Sequence, residues 1–225
     1  MNFKSTLSFL MLVAAPLAVQ AQDRFDLKVR NYFFAGFTGD KESLVTGLKK
    51  CEDELAIHPK NAEALVWHGS GIYYLSGQAF QSGDQAKGGE LFALGLKEMD
   101  EAVEIAPDKV GVRIPRGAVL ITSTRFMPED MARPLLAKAV QDYQRAYDLQ
   151  SAALDQLGTH PKGELLLGLA DGYNRLGNQQ EAEKWFTMIR SSLKGSAYAK
   201  SADLWFETKT LPAAKAGCLG CHAGK

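Results

Sequence analysis

The sequence predicts an all-α protein of helices packed on helices, on three observations. Apolar residues recur at three- and four-residue steps, no stretch sustains the alternation of a strand, and proline-centred boundaries recur along the chain. Phe92, Gly95, Leu96, Met99, Ala102, Val103 and Ala106 follow the helical steps, as do Leu136, Ala139, Val140, Tyr143, Ala146 and Tyr147. Each set makes one apolar stripe with Lys, Glu, Asp and Gln opposite, the pattern of helices that pack on helices. The boundaries are Ala56-Ile57-His58-Pro59-Lys60-Asn61, Ile105-Ala106-Pro107-Asp108-Lys109 and Gly158-Thr159-His160-Pro161-Lys162-Gly163. Proline at each is expected to stop one helix, and the polar residues after it to start the next.

At the N-terminus, Lys4 precedes an apolar core at residues 7–13, extended by 14–19, and Val19-Gln20-Ala21 offers compact residues at the subsites a signal peptidase reads. Residues 1–21 are therefore expected to be a cleaved secretory signal, with Gln22 opening the mature chain. The apolar core is shorter than the roughly 20 residues of a membrane span, which disfavours the competing reading as an uncleaved anchor. Export places the protein in the periplasm or outside the cell. About 200 residues then remain, enough for one domain with its own core. Lys plus Arg number 26 and Asp plus Glu number 26. That balance predicts no nucleic-acid footprint and no polybasic membrane patch. No later segment has the pattern of a membrane span.

Residues 22–208 are expected to form the helical domain. Tyr73 precedes Gly77 by four residues and Tyr173 precedes Gly177 by four. Both glycines are expected where a helix turns back and a positive φ is needed. In residues 166–186, Leu166, Leu169, Ala170, Tyr173, Gly177-Asn178, Ala182 and Phe186 resemble the signature of a tetratricopeptide repeat (TPR). An earlier unit matches in two pieces, Tyr73 and Gly77, then Met99, Ala102 and Pro107, separated by an insertion at 78–89 rich in Gly, Gln and Ser. The resemblance spans residues 26–208 and is most specific in the last unit. It implies antiparallel helix pairs stacked into a short TPR-like solenoid, a superhelix whose concave face binds a protein partner. Residues 197–208, with Ala199, Ala202, Leu204, Trp205 and Phe206, are expected to cap the stack. The composition then shifts to Ala, Gly and Lys in a tail, 209–225.

That tail contains Cys218-Leu219-Gly220-Cys221-His222. Two thiols two residues apart can add to the two vinyl groups of a porphyrin, and the adjoining imidazole can ligate the iron. The motif resembles the haem-attachment sequence of c-type cytochromes, which implies one covalent haem c held by Cys218 and Cys221 with His222 as axial ligand. An exported chain suits this reading. A thioredoxin-like pair would need a strand–helix scaffold, zinc would need a fourth ligand, and a simple disulfide leaves His222 without a role. Only Ala223, Gly224 and Lys225 follow His222, so the small cytochrome fold with a downstream Met ligand is not expected. The class II cytochromes, helical bundles that attach haem near the C-terminus, are the structural alternative; Pro212, Gly217 and the chain length count against it.

The sixth iron position stays open. His58 and His160 are expected at helix ends and His68 in packing or at the surface. Met99 and Met188 are expected in core stripes, while Met127 and Met131, beside a helix start at Met127-Pro128-Glu129-Asp130, are more available. Cys51, on an amphipathic run, is expected to be a buried structural thiol. No Ser/His/Asp constellation, phosphate loop or paired-carboxylate site emerges, so an electron carrier or binding protein is expected rather than an enzyme. A redox partner protein follows from the haem reading. A haem-free interaction scaffold and a five-coordinate gas-binding or peroxidatic haem protein are the alternatives.

Overall fold

The computed structural model describes residues 24–211. The expected export segment, 1–21, and the attachment motif, Cys218, Cys221 and His222, lie outside the described residues. Within them the fold is all-α, with no strand. The helices are α1 (Asp26–Phe37), α2 (Lys41–Ile57), α3 (Ala62–Gln81), α4 (Gln85–Ile105), α5 (Val110–Ser123), α6 (Glu129–Gln150), α7 (Thr159–Arg175), α8 (Gln179–Ser192) and α9 (Ala197–Thr208), with 3-10 turns at Thr124–Phe126 and Ser151–Gln156. Each helix packs on the next in sequence, and α1, α3, α5 and α7 also pack on one another in that order. One hydrophobic core runs through all of them, from Phe25 to Leu211.

Three of the hairpin turns are the same piece of local chemistry. Gly39, Gly83 and Gly177 have φ of 113°, 88° and 85°, and each is followed by Asp40, Asp84 or Asn178. In each, the residue after glycine donates its N–H back to the helix, to the carbonyl of Ala35, Ala79 or Tyr173. These six-residue closures are the Schellman way of ending a helix. The same Asp or Asn then caps the next helix, accepting from the N–H of Ser43, Lys87 or Glu181. Gly177 thus sits where expected. Gly77 does not: it lies inside α3, and Gly83 makes the turn. The α5–α6 connection departs from the pattern, passing through Thr124–Phe126, Met127 and Pro128 with no such glycine.

The residues at 78–89 lengthen both arms of the α3–α4 hairpin, to 20 and 21 residues, around a turn of only Ser82, Gly83 and Asp84. Their Gly, Gln and Ser content therefore belongs to helix faces. These arms touch backbone to backbone: a Cβ on Gly95 would stand 2.6 Å from the Tyr73 nitrogen and 2.7 Å from the Gly69 oxygen. Pro59 and Pro107 follow helices that end at Ile57 and Ile105, as expected. Pro161 differs, for it lies in the first turn of α7, where the missing N–H would have had no helical partner anyway. The helix before it ends at Gln150, and a 3-10 turn fills the interval.

Buried ion pairs tie the middle of the fold. Asp142 on α6, wholly buried, accepts two bonds from Arg116 and one from Arg113 on α5, at 2.6 to 2.8 Å. Arg116 also reaches Asp100 on α4, which accepts from Lys138. At the C-terminal side, α9 covers the stack: Trp205 stacks on Phe186 with ring centroids 4.4 Å apart and donates its indole N–H to Asn174. Cys51 is buried, and desolvation, helped by Glu98, Glu52 and Glu54, pushes its thiol well above the ordinary range.

Candidate functional site

The expected attachment motif follows α9 in the sequence, and the described residues nearest to it in the chain are those at the end of that helix. Lys209 ends α9 in the left-handed region, with φ of 56°, and donates its N–H to the Trp205 carbonyl at 2.7 Å. A lysine adopts this conformation at a cost that glycine would not incur. Its ammonium lies 4.2 Å from the Trp205 ring centroid and 5.3 Å from that of Phe206, a cation–π contact that helps hold it there. Two residues later Leu211 is buried.

Below Leu211 stands a small buried polar group. Arg125, in the α5–α6 connection, donates one Nη–H to the Leu211 carbonyl at 3.4 Å and the other to Asp171 Oδ2 at 2.5 Å. Arg175, one turn further along α7, lies 3.6 Å from the same Oδ2 and donates to the Ile121 carbonyl and to Thr124 Oγ1. Both guanidinium groups therefore attend one oxygen. The other, Asp171 Oδ1, is buried with no hydrogen-bond partner among the described residues. Asp171 is 1% exposed, and burial raises its carboxyl above the ordinary range although Arg125 and Arg175 pull it down. Burial likewise lowers the Arg175 guanidinium.

No family model, curated protein or solved structure matches this chain.

The histidines and methionines weighed as further iron ligands are widely separated. His58 follows α2 and pairs with Glu54 at 3.0 Å. His68 is mostly buried and bonded to Glu98 at 2.6 Å. His160 opens α7, at the end of that helix opposite Asp171, and bonds the Tyr198 hydroxyl. Met99 is fully buried and Met188 partly so. Met127 belongs to the connection that carries Arg125 and is partly buried, while Met131 lies in the first turn of α6 and is 49% exposed. Phe126, between Arg125 and Met127, is 80% exposed. Among the described residues, no three His, Cys, Asp or Glu side chains stand together as a metal site. No described helix is long and apolar enough to cross a membrane.

The donor set of the motif, two thiols and an imidazole, fits a haem. A shallow depression lined by Glu129, Asp130, Arg133, Pro134 and Ala137 also opens at the start of α6, but none of these side chains is buried. Arg125, Asp171, Arg175 and Leu211 are the residues that sequence reasoning missed. One signal did exist: Asp171 follows the apolar run Leu165-Leu166-Leu167-Gly168-Leu169-Ala170, with Arg175 one turn on, and a carboxylate in such a run needs a buried cation.

Proposed function

We propose that this chain is an exported protein with a short TPR-like superhelix and one covalent haem c on its C-terminal tail. It acts in periplasmic electron transfer, or as a haem-bearing subunit that docks on a partner. The observation that carries the reading is the Cys218-Leu219-Gly220-Cys221-His222 motif, set just beyond the helical stack. Cys218 and Cys221 would hold the haem through thioether bonds, and His222 would supply an imidazole to its iron. The haem, when bound, supplies one-electron transfer. Two features support the repeat reading: the recurring Gly-Asp or Gly-Asn hairpin turns, and the packing of α1, α3, α5 and α7 on one another. In this arrangement the first helices of the pairs line the inner face, and that face selects the protein partner.

The test is to make the protein in a host competent for haem attachment. The expected product exceeds the mature polypeptide mass by one haem and keeps its pigment after denaturing electrophoresis. Replacing both Cys218→Ser and Cys221→Ser should remove the pigment and leave the helical circular-dichroism spectrum unchanged. A colourless product, from cells in which another c-type cytochrome matures, would leave a haem-free interaction scaffold as the better reading. Binding of CO to the reduced pigment would instead mark a vacant sixth position and favour a ligand-binding haem protein.

A further inference from the structure

We propose that Asp171 is a proton-operated latch at one end of the helical stack: on taking up a proton its carboxyl releases Arg125, and Arg125 then releases the Leu211 carbonyl. This goes beyond the haem reading and does not rest on it. Arg125 reaches Asp171 Oδ2 and the Leu211 carbonyl with its two terminal nitrogens, and its side chain is only 12% exposed. A guanidinium so far out of water is held by its counter-ion. Among the described residues, Asp171 is the one carboxylate paired with it. Once that negative charge is neutralised, nothing offsets the desolvation of Arg125. Water is close by, since the next residue, Phe126, is 80% exposed. Arg125 therefore turns outward and the Leu211 carbonyl loses its donor. Arg175 does not follow. It stands 3.6 Å from the same oxygen, but it donates to the Ile121 carbonyl at 2.7 Å and to Thr124 Oγ1 at 2.8 Å. Those bonds are independent of the charge on Asp171 and keep α5 tied to α7.

The carboxyl is placed to take the proton. Asp171 is almost wholly buried, and both cations attend Oδ2. Oδ1 has no partner among the described residues, so half of the charge is neither solvated nor paired. Two cations act on the group, Arg125 from the connection after α5 and Arg175 from α7 itself. α6 faces this part of α7 with the buried Tyr143, against Gly168, and with Val140, against Gly172. α8 buries Ala182, Trp185, Phe186 and Ile189, while its Glu181 and Lys184 act on Tyr173. From α9, Trp205 bonds Asn174. Burial outweighs the pull of the two guanidinium groups and raises the carboxyl above the ordinary range. Asp171 therefore protonates above about pH 4, where ordinary aspartates are still charged. A carboxyl raised in the fold binds its proton more tightly there than in the unfolded chain. Its contribution to stability thus grows as pH falls toward about 4. Release of Leu211 by this route is local and distinct from acid unfolding.

The test follows Asp171 and Leu211 by NMR in the full chain, with native cysteines and with Cys218→Ser and Cys221→Ser, so that haem attachment plays no part in the reading. As pH is lowered, the carbonyl-carbon and methyl signals of Leu211 should shift with the same midpoint as the Asp171 carboxyl, and that midpoint should lie above about pH 4. Asp171→Asn, a neutral isostere of the protonated side chain, should hold the Leu211 signals at their acid positions at every pH. Arg125→Gln should do the same, while Asp171 titrates at still higher pH for want of one cation. Over the same range the urea unfolding midpoint of the parent, taken relative to that of Asp171→Asn, should rise as pH falls. Leu211 signals indifferent to the Asp171 titration, or an Asp171 that titrates at or below the ordinary range, would overturn the proposal.

Discussion

Cys51 illustrates how burial decides the chemistry of a single residue. Its thiol is out of contact with water, and desolvation with three nearby glutamates holds it protonated at neutral pH. The thiolate is the reactive species, so an alkylating reagent at pH 8 should leave Cys51 unmodified in the folded protein and modify it fully after denaturation. Peptide mapping by mass spectrometry checks this, and rapid modification of the folded chain would contradict the burial. Amphipathic spacing made this residue legible as a core thiol. Asp171 was less legible, because its partners come from 46 residues away, at Arg125, and from its own helix. Sequence spacing marks a misplaced carboxylate but does not say which distant cation meets it.

At the scale of elements, spacing and proline position located most helices, and the reasons are local ones. Apolar stripes such as that through Met99, Ala102 and Val103 are buried as read. The hairpin turn at Gly83-Asp84 escaped notice because the residues around it are Gly, Gln and Ser, poor signals of helix by composition. They become helix through the Asp84 cap and through packing of α3 on α4, a tertiary override of weak propensity. The crossing of those arms gives a sharp prediction. Gly95→Ala would place a methyl group against the backbone of Tyr73 and Gly69, and overpacking of this kind costs about 1–3 kcal/mol. Thermal unfolding should show a fall of several degrees. An equivalent change at Gly89, around which nothing lies within 4 Å, should leave the melting temperature level or raise it slightly, since alanine favours helix.

Across the whole molecule, the all-α class was readable from the sequence because helical periodicity persists through almost every segment. The burial of Leu211 was not readable. Leu211 stands alone among Ala, Gly and Lys, and only its packing and its contact with Arg125 show that it belongs to the core. A chain ending after Leu211 should therefore unfold cooperatively and close to the full-length temperature. One ending after Thr208 loses a buried leucine, worth about 1.5–3 kcal/mol, and the bond to Arg125 with it. Its melting temperature should fall by roughly 3–12 °C, at about 2–4 °C per kcal/mol for a domain of this size. Equal melting temperatures for the two truncations would show that Leu211 contributes nothing.

The bond from Arg125 to Leu211 also has a meaning in time. It joins residues 86 apart, against 46 for Arg125 with Asp171 and 54 for Arg175 with Ile121. The helices otherwise pack on near neighbours, and contacts of that kind form early because the loops they close are short. Of these three bonds the one to Leu211 closes the longest loop, so it is expected to form last during folding and to open first. Release of Leu211 is then a local fluctuation at one end of the stack, faster and less costly than global unfolding, and it leaves every described helix intact.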